Sequence, residues 1–267
     1  METTVGRFHL QYEQPQTAKF AAPLLILPDL FNTRRHMAVM IGYFASIGWE
    51  VYALSLDELA SSAAMSPDQL DWPAALALVQ ELVAALGRGT IVLGHGAGGL
   101  LALALAGRLG IESAVALAPL VPGDRSPMLK RASGWLGLSR PRLLYPPRGR
   151  TLFELFADAE PFHRDTLIRD LVPASAQLAR DIASGKPSLD AAGRAPRLII
   201  TGGADPFASA GSVRAMAERI ASRIIVVPGR GHWLAGGRTL ERVIAEVQRF
   251  LVLTLGRDLL LLYPDEP

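Results

Sequence analysis

The sequence predicts an α/β fold: a mostly parallel sheet covered by helices on both faces. Three observations predict it. Short, continuous apolar runs recur along the chain, among them LLIL at Leu24–Leu27, IESAVAL at Ile111–Leu117 and RLIIT at residues 197–201. Such runs suit parallel strands buried on both faces. Helix-forming segments lie between them, as crossovers between parallel strands require. Residues 90–107 (TIVLGHGAGGLLALALAG) pass from an apolar β-branched run through a cluster of glycines into a Leu- and Ala-rich stretch. That is the pattern of a strand, a tight turn and a helix.

Taken in order, residues 1–22 alternate in polarity and predict an edge hairpin with Pro15 in its turn. Leu24–Leu27 is a buried strand ending at Pro28-Asp29-Leu30, and a helix then runs to about Ile47 and stops at Gly48. WEVYAL at 49–54 is the next strand, and residues 55–66 are expected to be a loop. Residues 73–86 form a helix with Pro73 in its first turn and Gly87 beyond its end. The glycine turn follows, then the strand Ile111–Leu117. From 120 to 190 the chain changes character, as apolar strands give way to prolines and arginines. Strand 197–201, a helix at about 209–221, strand 224–227 and a closing helix at about 239–255 complete the chain, with a partly apolar tail at 257–267.

Composition excludes several classes of function. The chain has 267 residues, 50% of them hydrophobic and 19% charged, which suits a globular protein rather than a disordered one. A net charge of +2 gives no reason to expect a nucleic-acid partner. Cysteine is absent, which rules out disulfides, thiol nucleophiles and cysteine metal sites. The histidines show no H-x-x-x-H or H-E-x-x-H spacing, so neither a metal nor a cofactor is expected. The opening METTVGRFHLQYEQPQ has no signal-peptide pattern, and no apolar run is long enough to span a bilayer; a cytoplasmic location is expected. Between Lys130 and Arg150 lie Arg131, Arg140, Arg142 and Arg148 with no acidic residue, interleaved with Trp135 and Tyr145. One reading is a basic surface that meets anionic ligands or a lipid surface; the favoured reading is a solvated face paired with the acids at 154–165.

Gly94-His95-Gly96-Ala97-Gly98-Gly99, set between strand and helix, resembles the nucleophile elbow of the α/β-hydrolase superfamily, in which the central position carries a serine. Here that position is Gly96. Two further segments extend the resemblance over nearly the whole chain: Gly202-Gly203-Ala204-Asp205-Pro206 resembles the family's acid loop, and Gly229-Arg230-Gly231-His232-Trp233 its histidine loop, in the family's order. The resemblance implies a core at 1–119 and 191–267 with a lid at 120–190. It implies that Asp205 orients His232, and that His232 turns its Nε2 toward the place vacated at Gly96. The backbone N–H groups of Leu30 and Ala97 would face a developing oxyanion. The first loop departs from the pattern, since Pro28-Asp29 stands where the family often has His-Gly. His95 and His36 are assigned to packing; His9 is a surface residue and His163 lies in the lid. A dinucleotide-binding fold is the rival reading of the glycine cluster, and the acid and histidine loops argue against it.

Three functions remain open from the sequence. The first, favoured because Asp205 and His232 are both retained, is an enzyme acting on a small apolar or acyl-bearing molecule by ester or thioester hydrolysis or by a non-hydrolytic lyase or cyclisation reaction, with the His232–Asp205 dyad as general base and no serine nucleophile. The second is an inactive relative that binds a ligand or a protein partner. The third, a serine deliberately removed to trap a ligand, ranks last, because alanine is the more natural replacement.

Overall fold

A computed structural model describes residues 1–124, 126–130 and 141–256. Its central sheet has eight strands in the order β1-β2-β4-β3-β5-β6-β9-β10. These are β1 (Glu2–Val5), β2 (Phe8–Glu13), β3 (Leu24–Leu27), β4 (Val51–Ala53), β5 (Thr90–His95), β6 (Ile111–Leu117), β9 (Arg197–Gly202) and β10 (Arg223–Val227). β1 and β2 pair antiparallel, as do β2 and β4. From β4 through β3, β5, β6 and β9 to β10 every pairing is parallel. All residues of β3, β5 and β9 are buried, as strands covered on both faces must be.

Helices flank the sheet. They include α1 (Ala38–Ser46), α2 (Leu56–Ser62), α3 (Trp72–Leu86), α4 (Gly96–Leu105), α9 (Ala210–Arg219) and α10 (Leu240–Leu255). Between β6 and β9 come α5 (Pro127–Lys130), α6 (Arg150–Leu155), α7 (Pro161–Arg169) and α8 (Ala176–Ala183), with a small antiparallel pair, β7 (Leu143–Leu144) and β8 (Ala174–Ser175). No helix among the described residues is long and apolar enough to cross a membrane.

Two local expectations are corrected. The N-terminal hairpin turns at Gly6, which adopts φ +58°, and Pro15 lies beyond its second strand. The stretch expected to be a loop at 55–66 contains α2. Ser55 and Glu58 form a capping box there, the Glu58 carboxylate accepting the Ser55 N–H at 2.9 Å. An S-x-x-E start satisfies donors that would otherwise disfavour a helix this short. In the basic stretch Arg142 pairs with Asp68, and Arg150 with Glu154. Arg131, Trp135, Arg140 and the tail at 257–267 lie outside the described residues.

The turn from β5 into α4 is closely packed. Every residue of α4 is buried. A Cβ placed on Gly98 would fall within 3.0 Å of the Leu27 carbonyl oxygen, closer than real Cβ atoms come. Only glycine lets the helix approach β3 at this distance. The replacement Gly98→Ala should therefore cost about 1–3 kcal/mol through overpacking against backbone. A urea melt should show this as a lower midpoint with an unchanged slope. An unchanged midpoint would mean that α4 can draw back from β3 without cost.

Candidate active site

Four loops meet above the carboxyl ends of the parallel strands, where open α/β sheets place their sites. Asp29 follows β3, Gly96 opens α4 directly after β5, Asp205 follows β9 and His232 follows β10. Gly96 has φ +54°, a left-handed conformation that glycine adopts freely and other residues take up only under strain.

The Asp205 carboxylate is fixed by its own loop. Its Oδ1 accepts the N–H groups of Phe207 at 2.8 Å and Ala208 at 3.1 Å. Its Oδ2 accepts the Nδ1–H of His232 at 2.8 Å. The sequence-predicted dyad is thus brought together. On its other side His232 donates from Nε2 to Asp29 Oδ2 at 3.1 Å. The remaining Asp29 oxygen, Oδ1, accepts the backbone N–H of Ala97 at 2.7 Å. Asp29 and His232 are each 0% exposed and Asp205 is 6% exposed.

The space expected to stand open at Gly96 is therefore filled. A Cβ built on Gly96 would overlap the carboxylate carbon of Asp29, inside the 3.0 Å that real Cβ atoms keep. The Ala97 N–H, expected to face an oxyanion, is satisfied by the same carboxylate. Leu30, the other expected donor, is buried beside Asp29 at 2% exposure. The physical reason is the side chain at 29, which reaches from the β3 loop over a residue that has no side chain of its own. This third member of the cluster was not among the sequence-predicted site residues. Its signal was present, though: an acid in the first loop opposite a glycine at the elbow.

A model of the alpha/beta hydrolase family matches residues 19–246. The chain belongs to the alpha/beta hydrolase family. Solved structures share its fold at low identity. A monoacylglycerol lipase from Paleococcus ferrophilus is 19% identical, covers 91% of this chain and 98% of its own, and gives a TM-score of 0.66. A thermophilic esterase from Thermogutta terrifontis is 18% identical over 94% of this chain and 97% of its own, with a TM-score of 0.67. A soluble variant of monoglyceride lipase from Saccharomyces cerevisiae is 14% identical over 94% of each chain, with a TM-score of 0.73. A comparison with curated protein sequences gives no match.

Electrostatics in this alpha/beta hydrolase follow from placing one imidazole between two carboxylates. Burial alone would lower the pKa of His232, but the charges and hydrogen bonds of Asp205 and Asp29 raise it to about 10. Burial pushes the Asp29 carboxyl up, yet the hydrogen bond and charge of His232, the charge of His95 and the Ala97 amide together hold it below its usual range. His95, buried beneath the elbow and beside the charged His232, is lowered to about 4 and stays neutral. His36 is a structural residue: its Nδ1 accepts the Thr33 N–H at 3.0 Å and its Nε2 donates to the Leu167 carbonyl at 2.9 Å. His9 contacts Thr4 on the surface and His163 is exposed, and neither belongs to the cluster.

The signs of these shifts set a pH profile for stability. His232, raised from 6.5 to about 10, contributes stability that is full below pH 6.5 and is lost as pH rises through about 10. His95, lowered from 6.5 to about 4, contributes stability that is full above pH 6.5 and falls as pH drops toward about 4. Asp29 adds a loss at still lower pH, below its ordinary 3.8. The contribution of the cluster should therefore peak near the ordinary histidine value. Melting temperatures between about pH 5 and about pH 10 should fall on both sides of that peak. Asp29→Asn should move the alkaline limb to lower pH, because His232 loses one of its two carboxylates; an unmoved limb would dissociate Asp29 from the charge on His232.

Proposed function

We propose that this alpha/beta hydrolase carries out no serine-type acyl transfer and holds in its place a closed Asp29–His232–Asp205 cluster, which makes it an inactive relative of esterases and lipases with a binding role. The observation that carries this reading is the position of one carboxylate. Acyl transfer needs a nucleophile at the elbow, a free base nitrogen and a free oxyanion donor. Asp29 overlaps the first position, accepts from the second at 3.1 Å and accepts from the third at 2.7 Å. Gly96 stands where the family carries its serine. The segment at 120–190 fits the role of a lid: Phe156 packs edge-on against Trp233 at 5.0 Å, and Asp158 accepts the Gly231 N–H at 2.6 Å, which ties the insertion to the histidine loop.

Short nitrophenyl esters test this. The native protein should give no turnover above buffer. Gly96→Ser should remain inactive, because its side chain collides with Asp29. Asp29→Gly combined with Gly96→Ser reopens all three positions and should exceed either single variant by about a hundredfold or more, the range that a positioned base contributes. Native turnover that disappears in His232→Ala would overturn the reading.

A second reading is favoured by the intact 2.8 Å bond between His232 and Asp205. In it the dyad acts as general base on a small apolar or acyl-bearing substrate once Asp29 swings aside. With Asp29 aside, His232 keeps one carboxylate instead of two, so such activity should level off below the pH of about 10 at which the closed cluster gives up its proton. A rate that still climbs through about pH 10 would show that Asp29 stays in place and would overturn this reading.

A further inference from the structure

His95 is 1% exposed and its Nε2 lies 2.9 Å from the backbone carbonyl oxygen of His232. A carbonyl can only accept, so this nitrogen carries the proton and Nδ1 keeps its lone pair. That Nδ1 is buried and has no hydrogen-bond partner among the described residues. A buried polar atom left unpaired is costly, and in a native structure it calls for a reason. His232 is held in the same manner, with Nδ1 committed to Asp205 and Nε2 turned to Asp29. Asp29, His95 and His232, all buried, each offer one ligand-type atom, and these atoms lie within 4.8 Å of one another.

Imidazoles that ligate metals nearly always donate their other ring N–H to a carboxylate or a backbone carbonyl, which fixes tautomer and ring orientation. Here one histidine uses each kind of partner. We propose that Asp29, His95 and His232 form a two-histidine, one-carboxylate site for a divalent transition-metal cation. Two nitrogens and one oxygen suit zinc, cobalt, nickel or iron(II), and not magnesium or calcium, which prefer all-oxygen sites. Bonds of about 2.0–2.2 Å place the ligand atoms of a tetrahedral ion about 3.3–3.6 Å apart, so atoms that now lie within 4.8 Å of one another have to close by about an ångström. On binding, the proton shared by His232 Nε2 and Asp29 passes to solvent. The site goes beyond the loss of acyl transfer and does not depend on it, since the same ligands serve whether or not an ester is ever turned over.

Tag-free full-length protein, incubated with cobalt(II) or zinc(II) and then dialysed, provides the test. The native chain should retain about one equivalent, and bound cobalt should show the visible absorption of a nitrogen- and oxygen-ligated ion. His95→Gln keeps a donor for the His232 carbonyl but removes the Nδ1 lone pair; Asp29→Asn removes the carboxylate at constant shape. Each should weaken retention by about tenfold or more. His9→Gln and His163→Gln, on the surface, should retain metal as the native chain does. No retention by the native protein, or undiminished retention by His95→Gln, overturns the proposal. Should His95→Gln fail to fold, nitrogen NMR of histidine-labelled native protein decides: zinc(II) must shift the His95 Nδ1 resonance, and an unmoved resonance overturns the site. Ester turnover measured on the same samples bears only on the acyl-transfer reading, so the two can fail separately.

Discussion

The Asp29 carboxylate is the interaction on which the rest of the site depends. One oxygen caps the N-terminus of α4 through the Ala97 amide and the other meets the His232 imidazole. A carboxylate at a helix N-terminus is favoured by the amide and by the helix dipole. A carboxylate against an imidazolium is favoured by charge. Neither would suffice to bury an acid completely, since the desolvation penalty of an isolated ion is large. The two together, with Asp205 fixing the far side of His232, hold it in the interior at 0% exposure.

That arrangement needs a scaffold that does not move. The loops carrying Asp29, Gly96, Asp205 and His232 leave four parallel strands, three of them neighbours of β5 or β6. The histidine loop is also held from the insertion side, where Asp158 accepts the Gly231 N–H and pairs with Arg230. Trp233 packs beneath, edge-on to both His95 and Phe156. Imidazole geometry is thus set by aromatic walls and by backbone donors rather than by solvent, which is why a small chemical change at one position can alter the role of the whole cluster.

The order of strands and helices was legible because it is written in local pattern. LLIL, TIVL and RLIIT have the length and apolar continuity of doubly covered strands, and the elbow glycines mark the turn by their steric necessity. Helix α2 was missed because a short helix is decided by its cap, here Ser55 and Glu58, more than by periodicity. The Asp205–His232 pair was legible through chain order and loop composition. Asp29 was not, although its departure from His-Gly was visible, because its effect depends on distance to Gly96, a residue far along the chain. The same reason hides the relation among Asp29, His95 and His232. They come from the β3 loop, the end of strand β5 and the β10 loop, so no sequence spacing joins them, and only the fold brings their ligand atoms within 4.8 Å.

Asp29 and Gly96 have to be understood as one unit. Their combined occupancy follows from a single volume that holds either a carboxylate or an elbow side chain, never both. Each change made alone is unfavourable: a side chain at 96 collides with the carboxylate, and loss of the carboxylate leaves a buried imidazole with one partner fewer and an amide unsatisfied. Made together, the two changes remove the collision and can return a partner to the imidazole, so their energies should be strongly non-additive, as expected of groups that share one space and one hydrogen-bond network. One carboxylate thus fills the space over Gly96, accepts from His232 Nε2 and accepts the Ala97 amide. Two buried acids flank one imidazole at the carboxyl ends of these strands, and each of them favours the protonated ring.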